Sequence, residues 1–141
     1  MSNSVQRKSA KVMHLSAIWE NAQSKVVAGK PATLSLEALE QWMERFSSAE
    51  LNDLVIPRRT LARRKEMHEP LTAEETDKAL RLARISVEAD RVFGNPDKST
   101  RWLRKPNSAL SGQTPLELLK SEAGALAVGE LLGQIDNGMF T

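Results

Sequence analysis

Cysteine and tyrosine are absent from this 141-residue chain. Without cysteine there can be no disulfide, no thiol nucleophile and no thiolate metal site. Aromatic side chains are few, only Trp19, Trp42, Trp102, Phe46, Phe93 and Phe140. No apolar run approaches the roughly 20 residues that a membrane-spanning helix needs. The N-terminus is basic but lacks the hydrophobic stretch of a secretory signal, so a soluble cytoplasmic protein is expected. Histidine is scarce too: His14 and His68 lie in different segments, and neither has a helical partner for metal or acid–base work. There is no glycine-rich phosphate loop and no nucleophile elbow. Glu37 with Glu40, and Glu74 with Glu75, could mimic paired catalytic carboxylates, but placement near helix starts explains them more simply. No catalytic residue, no metal and no cofactor are therefore expected, and the chain does not read as an enzyme.

What is present is charge arranged in alternating blocks. The net charge of +2 hides them. Residues 1–33 carry five bases and one acid, residues 34–56 one base and five acids, and residues 57–69 five bases and two acids. Residues 70–95 are nearly balanced, residues 96–105 are net positive, and residues 106–141 are net negative. Polyanion binding, if any, should be confined to a patch.

Every strong periodic signal is helical, and the expected fold is all-α. Leu36, Leu39, Met43 and Phe46 keep one helix face. Ser47-Ser48-Ala49-Glu50 reads as a capping box that opens a short helix bearing Leu51, Leu54 and Val55. Ile56-Pro57 breaks it, and a short basic helix runs from Arg58 to about Met67 with Leu61 as its buried contact. Thr72-Ala73-Glu74-Glu75 is a second capping box, starting a helix of about 20 residues that stops at Phe93-Gly94. Asn95-Pro96 caps another short helix, with Trp102 and Leu103 inside. Pro106 to Gly112 is a loop, Thr114-Pro115-Leu116-Glu117 starts a further helix, and Ser121 caps a last one holding Leu126, Leu131, Leu132 and Ile135. Val12, Leu15, Ile18, Trp19 and Val26 could form an N-terminal amphipathic helix, with the first ten residues mobile.

Residues 47–67 have the plan of a helix-turn-helix, a motif whose second helix enters the DNA major groove. Arg58, Arg59 and Thr60 would face base edges, with Arg63, Arg64 and Lys65 one turn on. The planar fork of arginine can bond guanine O6 and N7 together, while bases further along suit phosphates. The plainer alternative is a solvated basic face paired with the acids of residues 37–53. Val55 occupies the turn, where glycine is usual. The tryptophans could stack on a base or anchor a partner, but at helical spacing they suit the core. The bases Lys98, Arg101, Arg104 and Lys105 could serve a partner or simply be solvated. Gly112 and Gly124 suit backbone geometry or close helix approach. After Gly138, the tail Met139-Phe140-Thr141 could fold back on the core, fray, or reach into a partner's cleft.

The stretch Ile56-Pro57-Arg58-Arg59-Thr60-Leu61-Ala62-Arg63-Arg64 resembles the helix-turn-helix of Xre-type antitoxins in the MbcA/ParS/Xre family. Leu71-Thr72-Ala73-Glu74-Glu75-Thr76-Asp77, with Arg81-Leu82-Ala83-Arg84, is similar to the family's next helix, and Val92-Phe93-Gly94 follows. Trp102-Leu103, Pro106-Asn107, Leu110, Gly112, Thr114-Pro115-Leu116, Leu118-Leu119, Ser121-Glu122 and Gly124, through to Gly138, resemble its toxin-binding domain. The likeness covers roughly residues 34–141. On it, residues 1–33 form a variable N-terminal segment, residues 34–70 the helix-turn-helix region and residues 71–141 the helical toxin-binding domain.

The resemblance implies the antitoxin of a type II toxin–antitoxin system. Its partner would be a RES-domain toxin that consumes NAD⁺, neutralised by direct binding that occludes the toxin's active site. It also implies a homodimer within a toxin–antitoxin hetero-oligomer, and repression of its own operon through operator DNA. Carried onto this chain, the toxin contacts are Glu130, Gln134, Asp136, Asn137, Gly138, Met139, Phe140 and Thr141. A rival reading is a stand-alone transcriptional regulator whose C-terminal bundle serves only dimerisation.

Overall fold

The computed structural model describes residues 16–42 and 44–138, and every regular element among them is helical. In chain order these are α1 over residues 16–27, α2 (Leu36–Trp42), α3 (Ser48–Leu54), α4 (Arg58–Met67), α5 (Ala73–Phe93), α6 (Pro96–Arg104), a 3-10 turn (Ser108–Leu110), α7 (Pro115–Leu118) and α8 (Glu122–Asp136). No helix among the described residues is long and apolar enough to cross a membrane. Val12, Leu15 and the first ten residues lie outside the described residues, as do Met43, His14 and the tail Met139-Phe140-Thr141.

Helix starts follow the capping chemistry of the sequence. Ser47 Oγ accepts from the Glu50 N–H at 3.1 Å, and Glu50 Oε1 accepts from the Ser47 N–H at 2.8 Å, so α3 opens on a closed capping box. The same reciprocal pair joins Thr72 and Glu75 at the start of α5, at 3.1 and 2.8 Å. Asn95 caps α6, Thr114 caps α7 and Ser121 caps α8. Each such cap satisfies a backbone N–H that has no partner inside its helix, worth about 1 kcal/mol.

The chain forms two units, one spanning Ile18–Leu82 and one built on the chain from Ala83 onward. In the first, Leu39, Trp42, Phe46, Leu51, Leu54, Val55, Ile56 and Leu71 are buried. Each such apolar side chain contributes about 1.5–3 kcal/mol when fully removed from water. The segment before α2 is pinned to the start of α5: the Leu71 N–H donates to Leu34 O at 3.0 Å, and the Leu34 N–H donates to the buried Thr76 Oγ1 at 3.1 Å. Of the apolar positions from Leu36 to Phe46, Leu39 is buried on α2 and Phe46 from the turn before α3.

In the second unit, Ile85, Ala89, Leu103, Leu110, Leu116, Leu119, Ala125, Val128, Leu131 and Leu132 form the core. Ser99 Oγ donates to the buried Asp90 carboxylate, holding α6 against α5 through a satisfied polar contact. Gly112 adopts φ +81°, and a Cβ on Gly124 would stand 1.9 Å from Leu118 O, so both glycines serve the backbone roles their positions suggested. Salt bridges tie both ends of α8 to α5, Arg84 to Glu122 at 2.8 Å and Arg91 to Asp136 at 3.1 Å.

Four packing expectations are corrected. Leu126 is 58% exposed, because α8 is one-sided and its core stripe runs through Ala125, Val128, Leu131 and Leu132. Val26 is also exposed, at the end of α1. Leu61 is half-buried, and α4 carries no fully buried side chain. Trp102 is half-buried as well, with its ring 5.4 Å from that of Phe93 and tilted by 45°.

Candidate functional site

The turn between α3 and α4 is made by Val55, Ile56 and Pro57. Val55 sits at φ −121°, away from the positive-φ region that favours glycine, so this turn has no need of glycine. Its side chain is buried instead, as is that of Ile56, and the N–H groups of both donate to Leu51 O, at 2.8 and 3.1 Å. Pro57 then presets the start of α4 with φ −59°. Two buried side chains and two backbone bonds thus fix where the basic helix begins.

Along α4, Arg58, Arg59 and Arg63 are exposed and Thr60 is half-buried. Lys65 is exposed, with its ammonium 3.5 Å from the carboxylate of Glu40 on α2, a pairing with the acids of residues 37–53. Both partners are about half exposed, so that pair holds little energy. Arg64 differs. Its side chain is only 14% exposed and meets Glu75, 13% exposed, and Glu69. The hydrogen bond to Glu75 raises the Arg64 pKa further above its ordinary value, with burial opposing it. Burial pushes the Glu75 carboxyl up, but hydrogen bonds from Arg64 and the Thr72 backbone outweigh it and hold the carboxyl below its ordinary value. His68 closes α4 in the left-handed conformation at φ 54° and is exposed, a helix-terminating role. Among the described residues no group of His, Asp or Glu is placed to hold a metal ion. A groove of about 440 Å³ lies beside α4, lined by residues that include Leu39, Leu51, Arg58, Leu61 and Lys65.

A second surface lies at the end of α8. Glu130, Gln134, Asp136, Asn137 and Gly138 are all exposed. Asp136 is held by Arg91, which also pairs with Glu88 at 2.7 Å; these bonds, Glu88 first, raise the arginine's pKa. The Asn137 N–H donates to Gly133 O at 3.1 Å and the Gly138 N–H to Ile135 O at 3.0 Å, ending the helix in an ordered turn. Met139, Phe140 and Thr141, the remaining predicted contacts, lie outside the described residues. Next to this helix end is an apolar groove of about 480 Å³, lined by Phe93, Trp102, Asn107, Leu131 and Ile135 among others. Lys98, Arg101, Arg104 and Lys105 are exposed on and just after α6.

Sequence reasoning missed two parts of this surface. Exposed Leu126 shares one face of α8, at helical spacing, with the predicted contacts Glu130 and Gln134. The signal was the split of α8 leucines between two stripes, only one of which continues through Ala125 and Val128. The groove over Trp102 had no signal, since its walls come from segments distant in sequence.

A family model described as the antitoxin Xre-like helix-turn-helix domain matches residues 23–84, and one described as the antitoxin Xre/MbcA/ParS C-terminal toxin-binding domain matches residues 88–138. The chain is 44% identical to a protein named antitoxin Xre from Pseudomonas putida over 86 residues, 61% of this chain and 54% of that one. It thus spans about half the length of that relative. It is 30% identical to an antitoxin Xre from Yersinia enterocolitica over 107 residues, 75% of this chain and 72% of the relative. A Sphingobium protein named Prs ADP-ribosylating antitoxin is 32% identical over 90 residues, 57% of each chain. A helix-turn-helix with an ordered three-residue turn, followed by a helical unit matched as toxin-binding, agrees with these likenesses in both halves: the chain belongs to the Xre/MbcA/ParS antitoxin family.

Proposed function

We propose that this chain neutralises a RES-domain, NAD⁺-consuming toxin by binding it directly and occluding its active site, and that it represses its own operon as a homodimer on operator DNA. The observation that carries the reading is that each unit presents its own exposed polar surface on a helix. In the first unit Arg58, Arg59 and Arg63 project from α4, whose start is fixed by Val55 and Ile56. Bases so placed suit direct readout of guanine, with Thr60 and Lys65 at the margin of the contact. In the second unit Glu130, Gln134, Asp136, Asn137 and Gly138 lead into Met139, Phe140 and Thr141, and Leu126 adds an apolar contact to the same face of α8. ADP-ribosyl groups are drawn from NAD⁺, so likeness to a protein named an ADP-ribosylating antitoxin favours a toxin of NAD⁺ chemistry.

The test uses the native operon. The neighbouring gene product should co-purify with this chain, and cellular NAD⁺ should fall when the chain is depleted. Removing Met139 to Thr141 should abolish growth protection while leaving DNA binding intact. Changing Arg59 and Arg63 to Ala should do the reverse. A lone dimer with steady NAD⁺ would overturn the toxin half of the proposal and leave a stand-alone regulator. Joint loss of both activities in a folded variant would refute the two-surface model.

A further inference from the structure

Arg64 has the charge of its neighbours on α4 but a different environment. Its Nε and one terminal nitrogen each donate to a different oxygen of Glu75, both at 3.2 Å, and its other terminal nitrogen donates to Glu69 Oε2 at 3.1 Å. Every nitrogen of the guanidinium is therefore engaged by a carboxylate. Glu75 is fixed in turn, because its Oε1 also accepts from the Thr72 N–H at 2.8 Å. A continuous set of charge-assisted hydrogen bonds thus joins the last turns of α4 to the first turn of α5. The rest of α4 is held weakly: none of its side chains is fully buried, and the buried turn residues constrain only its start.

We infer that Arg64 is a positioning residue and not a DNA contact: clamped by Glu75 and Glu69, it sets the angle at which α4 presents Arg58, Arg59 and Arg63 to DNA. The inference rests on the DNA-binding half of the proposed function, and it makes a prediction of opposite sign from simple electrostatics. Removing the charge of Glu75 would strengthen attraction to a polyanion if charge alone mattered. If the clamp matters, the same change weakens DNA binding. Glu75→Gln is the apt variant, since glutamine still completes the capping box with Thr72.

The full chain is titrated with a duplex of the promoter region upstream of its own gene, over a series of salt concentrations. Glu75→Gln and Arg64→Gln should each weaken binding about tenfold, as expected for loss of a coupled pair, and the double variant should be no weaker than the worse single one. Neither should change the slope of log affinity against log salt. Arg63→Gln, which removes a direct contact, should lower that slope by about one. Unchanged or tighter binding by Glu75→Gln, or a slope loss of about one in Arg64→Gln, overturns the clamp. If the unaltered chain does not bind the duplex, the DNA reading itself fails. Amide hydrogen exchange then decides the clamp: faster exchange in the last turns of α4 in Glu75→Gln supports it, and unchanged exchange overturns it.

Discussion

Replacing Gly124 by Ala should destabilise this chain, although alanine is the better helix former. A Cβ there would lie 1.9 Å from Leu118 O and 2.8 Å from Leu118 C, about 1 Å inside the 3.0 Å that real Cβ atoms essentially never undercut. The obstacle is backbone, so no rotamer change relieves it, and the turn between α7 and α8 must move. That turn holds the Ser121 cap, whose Oγ accepts from the Gly124 N–H at 3.0 Å. Overpacking costs about 1–3 kcal/mol, and a lost cap about 1 kcal/mol. The gain in helix propensity returns about 1 kcal/mol. The net is a loss of about 2 kcal/mol, or a Tm lower by about 6 °C for a chain of this size. Gly133→Ala is the matched control on the same helix, with nothing within 4 Å of the added methyl. It should gain up to about 1 kcal/mol and melt about 3 °C higher. Thermal unfolding followed by far-ultraviolet circular dichroism measures both. A Gly124→Ala variant melting at or above the parent would refute the close-approach argument.

Two further outcomes follow from the caps and the clamp. Ser47→Ala removes one arm of the capping box of α3 and should cost about 1 kcal/mol in urea unfolding, with Ser47→Asp close to neutral. Glu75 has a folded-state pKa below its ordinary value of 4.5, so its contribution to stability is present above that value and is lost as pH falls through the folded-state pKa. Unfolding measured from pH 6 downward should therefore show a steeper acid loss in the parent than in Glu75→Gln; parallel curves would count against the pairing.

The helix pattern was legible because the signals that set it are local. Ser47, Thr72, Asn95, Thr114 and Ser121 each cap the helix that their neighbours announce, and the structure forms the bonds that those spacings imply. Burial was less legible, since it depends on which neighbour a helix meets. Leu126 and Leu131 look alike in sequence, yet one is 58% exposed and the other 5%. Trp102 satisfies a helical stripe but faces a groove wall supplied in part by residues 107–109.

The basic helix shows the same limit at the level of function. Arg58, Arg59, Arg63 and Arg64 are equivalent to any count of charge, and one turn of helix separates the last two from the first. What divides them is the carboxylate geometry opposite each, and Glu75 lies 11 residues beyond Arg64. The two stand on different helices, so no spacing within one helix announces the pair, and only the folded turn at His68 to Leu71 brings them together. The structure thereby turns a run of like charges into two classes, three arginines free to meet a polyanion and one whose donors point at acids. A helix with no fully buried side chain needs such a tether if its exposed face is to be read at a fixed angle. On the DNA-binding reading proposed above, the inward arginine matters to recognition as much as the outward ones, while contributing nothing to its salt dependence.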